Sequence, residues 1–100
     1  RNVLLDGEGA DIRIAAVIDG ERAFWGDPLA DWVLILYGVP AAFWDGYGED
    51  LAANGDPVRI DVYKGMYFML NIVEAERLGE SDDGPRQRLA AVNERLRRVG

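Results

Sequence analysis

The sequence predicts an α+β chain, mostly helical, in which a β-hairpin is followed by about four helices. Three observations predict it. Two runs rich in branched apolar residues, Asn2–Leu5 and Ile12–Ile18, flank the turn-forming cluster Asp6-Gly7-Glu8-Gly9. Beyond them, apolar residues recur at helical spacing rather than in alternation. Gly and Pro punctuate the segments where helices start and stop. The chain has 100 residues, enough for one domain at most and for a modest core.

Each element has a local reason. Gly7 and Gly9 supply the positive φ that a hairpin loop needs. Asp19-Gly20 ends the second strand. Asp27-Pro28 predicts a helix start, with Asp27 as cap and Pro28 at the first position. That helix should run to about Tyr37 and stop at Gly38 and Pro40. It is apolar almost all round, from Leu29 through Trp32, so burial is expected. A short aromatic helix or turn follows at Ala41–Tyr47. The longest periodic segment spans about Pro57 to Leu78, with Val62, Met66, Met69, Leu70 and Val73 on one face. Ser81–Pro85 reads as a loop. The last helix aligns Leu89, Val92, Leu96 and Val99, and its Arg-rich end complements the helix dipole.

Composition excludes several chemistries. There is no Cys and no His, so zinc sites built on them, Cys nucleophiles and Ser-His-Asp triads cannot form within this chain. Disulfides are absent, which suits a reducing, cytoplasmic setting. No apolar run approaches transmembrane length. With 18 acidic against 11 basic residues the net charge is −7, unfavourable for nucleic acid or an anionic membrane as partner. The acidic excess lies in residues 1–57, with 11 acids and 3 bases. Oxygen donors remain, and they suit hard cations such as Mg²⁺.

Asp19, Glu21, Asp27 and Asp31 cluster in a short stretch. Asp19 follows the apolar strand Ala15-Ala16-Val17-Ile18, where a carboxylate would be held rigidly. Read alone it is a turn former. Asn2 changes the pattern, because an Asn opening a hairpin and an Asp closing it meet at the same end. Metal binding in the protein-kinase core uses this arrangement.

Three elements then carry a resemblance: Asn2-Val3-Leu4-Leu5-Asp6, Ala16-Val17-Ile18-Asp19-Gly20-Glu21 and Gly26-Asp27-Pro28-Leu29-Ala30-Asp31. In order and spacing they resemble the aminoglycoside phosphotransferase family, which has a protein-kinase-like fold and choline- and fructosamine-kinase-like relatives. The resemblance implies that Asn2 and Asp19 bind Mg²⁺, with ATP or GTP as phosphoryl donor. It implies assistance from Glu21 and structural support from Asp27 and Asp31. Gly20 departs from the family, where many relatives carry Trp.

The family's catalytic Asp would lie five residues before Asn2, and its nucleotide-gripping Gly-rich loop and Lys further upstream. Residues 1–100 are therefore read as part of a kinase-like C-terminal lobe, cut inside the catalytic loop and separated from its N-terminal lobe. No catalytic base is expected here, and the chain alone should be inactive. Trp25, Trp44 and Asp45, with Glu49 and Asp50, are candidates for the wall of a small-molecule acceptor site favouring cations. Phe43 and Trp32 are expected in the core, and Arg95, Arg97 and Arg98 at a solvated helix end. The rival readings are an acidic helical binding module without chemistry, in which Asn2 and Asp19 merely shape turns, and a degenerate kinase-like domain.

Overall fold

A computed structural model describes the chain except Arg1, Arg22, Trp32 and the side chain of Val33. Strands β1 (Val3–Asp6) and β2 (Arg13–Val17) form an antiparallel ribbon, and helices follow. Val3 pairs with Val17, Leu4 with Ala16, Leu5 with Ile14 and Asp6 with Arg13. The step from Leu4 to Leu5 skips Ala15, so β2 carries one extra residue as a β-bulge. Gly7 turns the loop with φ 91°. A Cβ there would lie 2.5 Å from the Asp11 carbonyl oxygen, so a side chain does not fit. Arg13 Nη2 donates to Asp6 Oδ2 at 2.7 Å and closes the base of the loop.

The segment Asp27–Tyr37 is not the continuous α-helix that its caps predict. Pro28–Ala30 make one 3₁₀ turn, and Val33–Tyr37 a π-helical turn. Asp31 between them is extended, with φ −74° and ψ 94°. Burial supplies the reason. Leu29 is 4% exposed and Leu34 8%. Residues five apart on a regular α-helix point about 140° away from each other. The extended Asp31 resets the phase and lets both leucines face inward. The expectation for Trp32 lies outside the described residues.

Four α-helices complete the order: α1 (Ala41–Tyr47), α2 (Leu51–Asn54), α3 (Pro57–Leu78) and α4 (Asp83–Val99). The sequence reading has no counterpart for α2. It is a single turn capped by Asp50, whose Oδ1 accepts from the Ala53 N–H at 2.9 Å. Asp56 caps α3, accepting from the N–H groups of Val58 and Arg59 at 2.8 and 3.3 Å, with Pro57 in the first turn. Gly79 ends α3 at φ 69°, and the Glu80 N–H reaches the Ala75 carbonyl at 2.9 Å. The expected loop Ser81–Pro85 is shorter than predicted, because α4 starts at Asp83. Pro85 is tolerated there, since first-turn N–H groups have no helical acceptor.

Helices α3 and α4 pack antiparallel, and the face that α3 buries is not the stripe from Val62 to Val73. Val62, Met66, Met69, Leu70 and Val73 are 44–63% exposed. Ile60, Gly65, Phe68 and Ala75 are buried instead. Gly65 is small, so α4 approaches closely there. A Cβ on Gly65 would lie 3.5 Å from Val92 Cγ1 and 3.8 Å from Leu89 Cδ1. Val92, at 1% exposure, is the most enclosed side chain among the described residues. Arg95 is not merely a solvated end: its Nε and Nη2 donate to both Asp61 oxygens, at 2.9 and 2.7 Å, and tie α4 to α3.

The accessible surface is 7772 Å². A folded monomer of this mass typically exposes about 5,700 Å². Much of the excess is apolar: Leu5, Ile14 and Val17 of the ribbon are 62%, 65% and 74% exposed.

Two glycines give opposite predictions. A Gly65→Ala methyl would meet Val92 and Leu89 at ordinary contact distances, and removing a mid-helix glycine stabilises by about 0.5–1 kcal/mol. Its melting temperature should rise by roughly 2–8 °C. Gly55→Ala should melt lower, because its Cβ would come within 2.5 Å of the Leu51 carbonyl oxygen and 2.7 Å of Leu29 Cδ2. Thermal unfolding followed by circular dichroism separates the two, and shifts of the same sign would refute this packing scheme.

Candidate functional site

The hairpin brings Asn2 and Asp19 to the same end of the ribbon. The Ile18 N–H donates to the Asn2 carbonyl oxygen at 2.9 Å, one step beyond the Val3–Val17 pair. Asp19 therefore follows directly after the residue that Asn2 holds. Its φ is 62°, the one positive value at a non-glycine among the described residues. Left-handed backbone costs most residues about 1–2 kcal/mol, and Asp and Asn bear it best. Glu21 lies within the next turn, where the Ala23 N–H donates to the Gly20 carbonyl at 2.9 Å. Asn2, Asp19 and Glu21 are all exposed.

No group of three Asp or Glu residues converges into a metal cage among the described residues. Mg²⁺ does not require one, since it commonly takes one or two protein oxygens and completes its octahedron with phosphate and water. One amide and one carboxylate on a hairpin end fit that shared mode.

Asp27 and Asp31 are separated from this end by function as well as by sequence. Asp27 is a hub. Its Oδ1 accepts from the Leu29 N–H at 3.0 Å, capping the 3₁₀ turn. Its Oδ2 accepts from Tyr63 Oη at 2.9 Å and from Arg59 Nε at 3.1 Å, with Arg59 Nη2 close by on the same oxygen. The Arg59 guanidinium, and next the Leu29 N–H, hold the Asp27 carboxyl below its usual range, against the opposing effect of burial. The same bonds hold the Arg59 guanidinium and the Tyr63 phenol above theirs. Arg59 and Tyr63 sit four apart on α3, hence on one face. That i, i+4 spacing was the only sequence signal for these partners, and it escapes a reading focused on acids. Asp31 serves through its backbone, donating to the Pro28 carbonyl and accepting from the Leu34 N–H, both at 3.1 Å. Its side chain is exposed.

Of the candidate acceptor wall, Trp44 and Asp45 come together. With Glu49, Asp50 and Asn54 they line an open cavity of about 600 Å³ around α1 and α2. Three carboxylates and a half-buried indole make this surface attractive to cations. Trp25 is fully exposed and does not line it. Phe43, expected in the core, is 40% exposed. It stacks on Tyr47 with centroids 5.7 Å apart and meets Trp44 edge-on at 5.2 Å. All three rings belong to α1, so they satisfy one another along a single helix and need no deeper core.

No protein-family model, curated protein or solved structure matches the chain. No helix among the described residues is long and apolar enough to cross a membrane.

The Asp27 cluster gives a pH prediction. Its folded pKa lies below the unfolded value of about 3.9. Its stabilisation is therefore complete above about pH 4 and is lost as pH falls through the folded pKa. Arg59→Gln removes the main cause of the shift, so the acid-unfolding midpoint should move to higher pH. Tyr63→Phe should move it the same way by less. An acid transition unchanged in Arg59→Gln, followed by circular dichroism, would dismiss the hub.

Proposed function

We propose that this chain is the C-terminal part of an ATP-dependent phosphotransferase that acts on small molecules. In this reading it contributes Mg²⁺ ligands to a site completed by upstream residues. The observation that supports the reading is the backbone Asn2–Ile18 hydrogen bond, which brings residues 2 and 19 to one hairpin end. Bound Mg²⁺ would neutralise phosphate charge during transfer to a hydroxyl acceptor. Asn2 offers its amide oxygen and Asp19 its charge. Glu21 lies in the following turn, from which it would assist. Asp27 and Asp31 hold the following segment through backbone and side-chain bonds and touch no reactant. The cavity lined by Trp44, Asp45, Glu49 and Asp50 favours a cationic acceptor.

Asp19→Asn in the intact enzyme is the decisive variant. Asn tolerates the same left-handed backbone, so the substitution removes charge and leaves the turn. ATP turnover should fall at least about 100-fold, the scale of losing one transition-state charge contact. Melting temperature and circular dichroism should stay unchanged. Undiminished turnover would take Asp19 out of the metal site. An unsubstituted intact protein with no turnover would favour the acidic binding module. Titration of the 100-residue chain with Mg²⁺ should give weak heats, and tight stoichiometric binding would contradict a site shared with upstream residues.

A further inference from the structure

A second site, independent of the metal-binding end, lies where the π-helical turn meets α3 and α4. Leu36, Tyr37, Tyr67, Phe68 and Arg88 line a cleft of about 300 Å³. The two tyrosine rings meet edge-to-face, with centroids 6.4 Å apart at 83°, and their hydroxyls hydrogen bond at 2.6 Å. Phe68 is buried and tilts against Tyr67 at 5.8 Å, forming an apolar floor. Leu36 is half-buried. The π-helical turn that presents Leu36 and Tyr37 is a rare geometry, frequent at functional positions.

Arg88 and Arg97 differ from the other described arginines of this acidic chain in having no carboxylate partner among the described residues, and of the two it is Arg88 that lines a cleft. Arg13, Arg59, Arg77, Arg86, Arg95 and Arg98 each have a carboxylate partner. Arg88 has none within 4.0 Å among the described residues. The reason is written in α4. Positions three and four away from Arg88 are Gly84, Pro85, Ala91 and Val92, so its own helix offers no acid. A guanidinium with no carboxylate partner among the described residues, over an apolar slot with two phenols, suits an anion with an apolar body.

We propose that this cleft binds a small monocarboxylate, its carboxylate on Arg88 and the tyrosine hydroxyls and its apolar body against Leu36 and Phe68. The volume lies at the lower end of ligand clefts, room for one ring or a short chain. One guanidinium balances one charge, and a net charge of −7 disfavours more highly charged anions. The hydrogen bond to Tyr67 holds the Tyr37 phenol above its ordinary value.

Benzoate is the probe, titrated into the full 100-residue chain and followed by calorimetry and by tyrosine chemical shifts. The wild type should show saturable 1:1 binding in the millimolar range. Arg88→Gln should weaken it at least about tenfold, and Tyr67→Phe several-fold. Arg88 is exposed and Gln is a comparable helix former, so the variant should fold, as circular dichroism would verify. Benzyl alcohol, with the same ring and no charge, should give no saturable shift. Absence of benzoate binding to the wild type, or equal affinity in Arg88→Gln, would overturn the proposal. Displacement of benzoate by inorganic phosphate at equal concentration would overturn its carboxylate class.

Discussion

The Asp27 carboxylate joins the part of the chain that could carry chemistry to the part that carries stability. One oxygen caps the turn that follows the hairpin, and the other is gripped by Arg59 and Tyr63 of α3. Its side chain is 17% exposed, so its charge requires these donors in place of water. The bonds also fix Leu29, two residues on, which buries itself against Gly55 and Ile60. Polar and apolar anchoring therefore coincide within three residues. Without the carboxylate, Leu29 would have no fixed backbone from which to enter its seat, and the segment after the ribbon would lose its register on α3.

Small residues decide the rest of the packing. Gly55 admits a leucine methyl, and Gly65 admits the Val92 and Leu89 side chains of α4. Val62, Met66, Met69, Leu70 and Val73 of α3 are left outside, while Ile60 and Phe68 are buried. The line along which another helix can come closest is the line without bulk. The Arg95–Asp61 fork and the Arg86–Glu76 contact reinforce the helix pair near its two ends, and Arg86 also pairs with Asp82 at the start of its own helix. Such exposed pairs contribute direction more than energy.

Much of this was legible in the sequence where the signal is local. The hairpin follows from two branched-residue runs around Gly7 and Gly9, and the helix starts at Pro28 and Pro57 follow from an Asp directly before each. The placement of Asn2 beside Asp19 needs only hairpin geometry. The misreadings share one cause, competition between faces. The 27–37 segment looks like one apolar helix until Leu29 and Leu34 both require burial. The α3 stripe from Val62 to Val73 marks one face, but α4 packs against Gly65, on another. Arg59, Tyr63 and Arg95 find partners 32, 36 and 34 residues away, and the helix face that Arg59 and Tyr63 share does not say which acid they reach.

The large accessible surface has a thermodynamic consequence. The surface that unfolding can newly expose is what remains after the 7772 Å² already in water is subtracted from the extended chain. Denaturant sensitivity and the heat-capacity change both scale with that difference. The chain should therefore unfold with a shallower denaturant dependence and a flatter stability curve than its length implies. A broad transition would be the mark of this architecture, and it need not signal an intermediate.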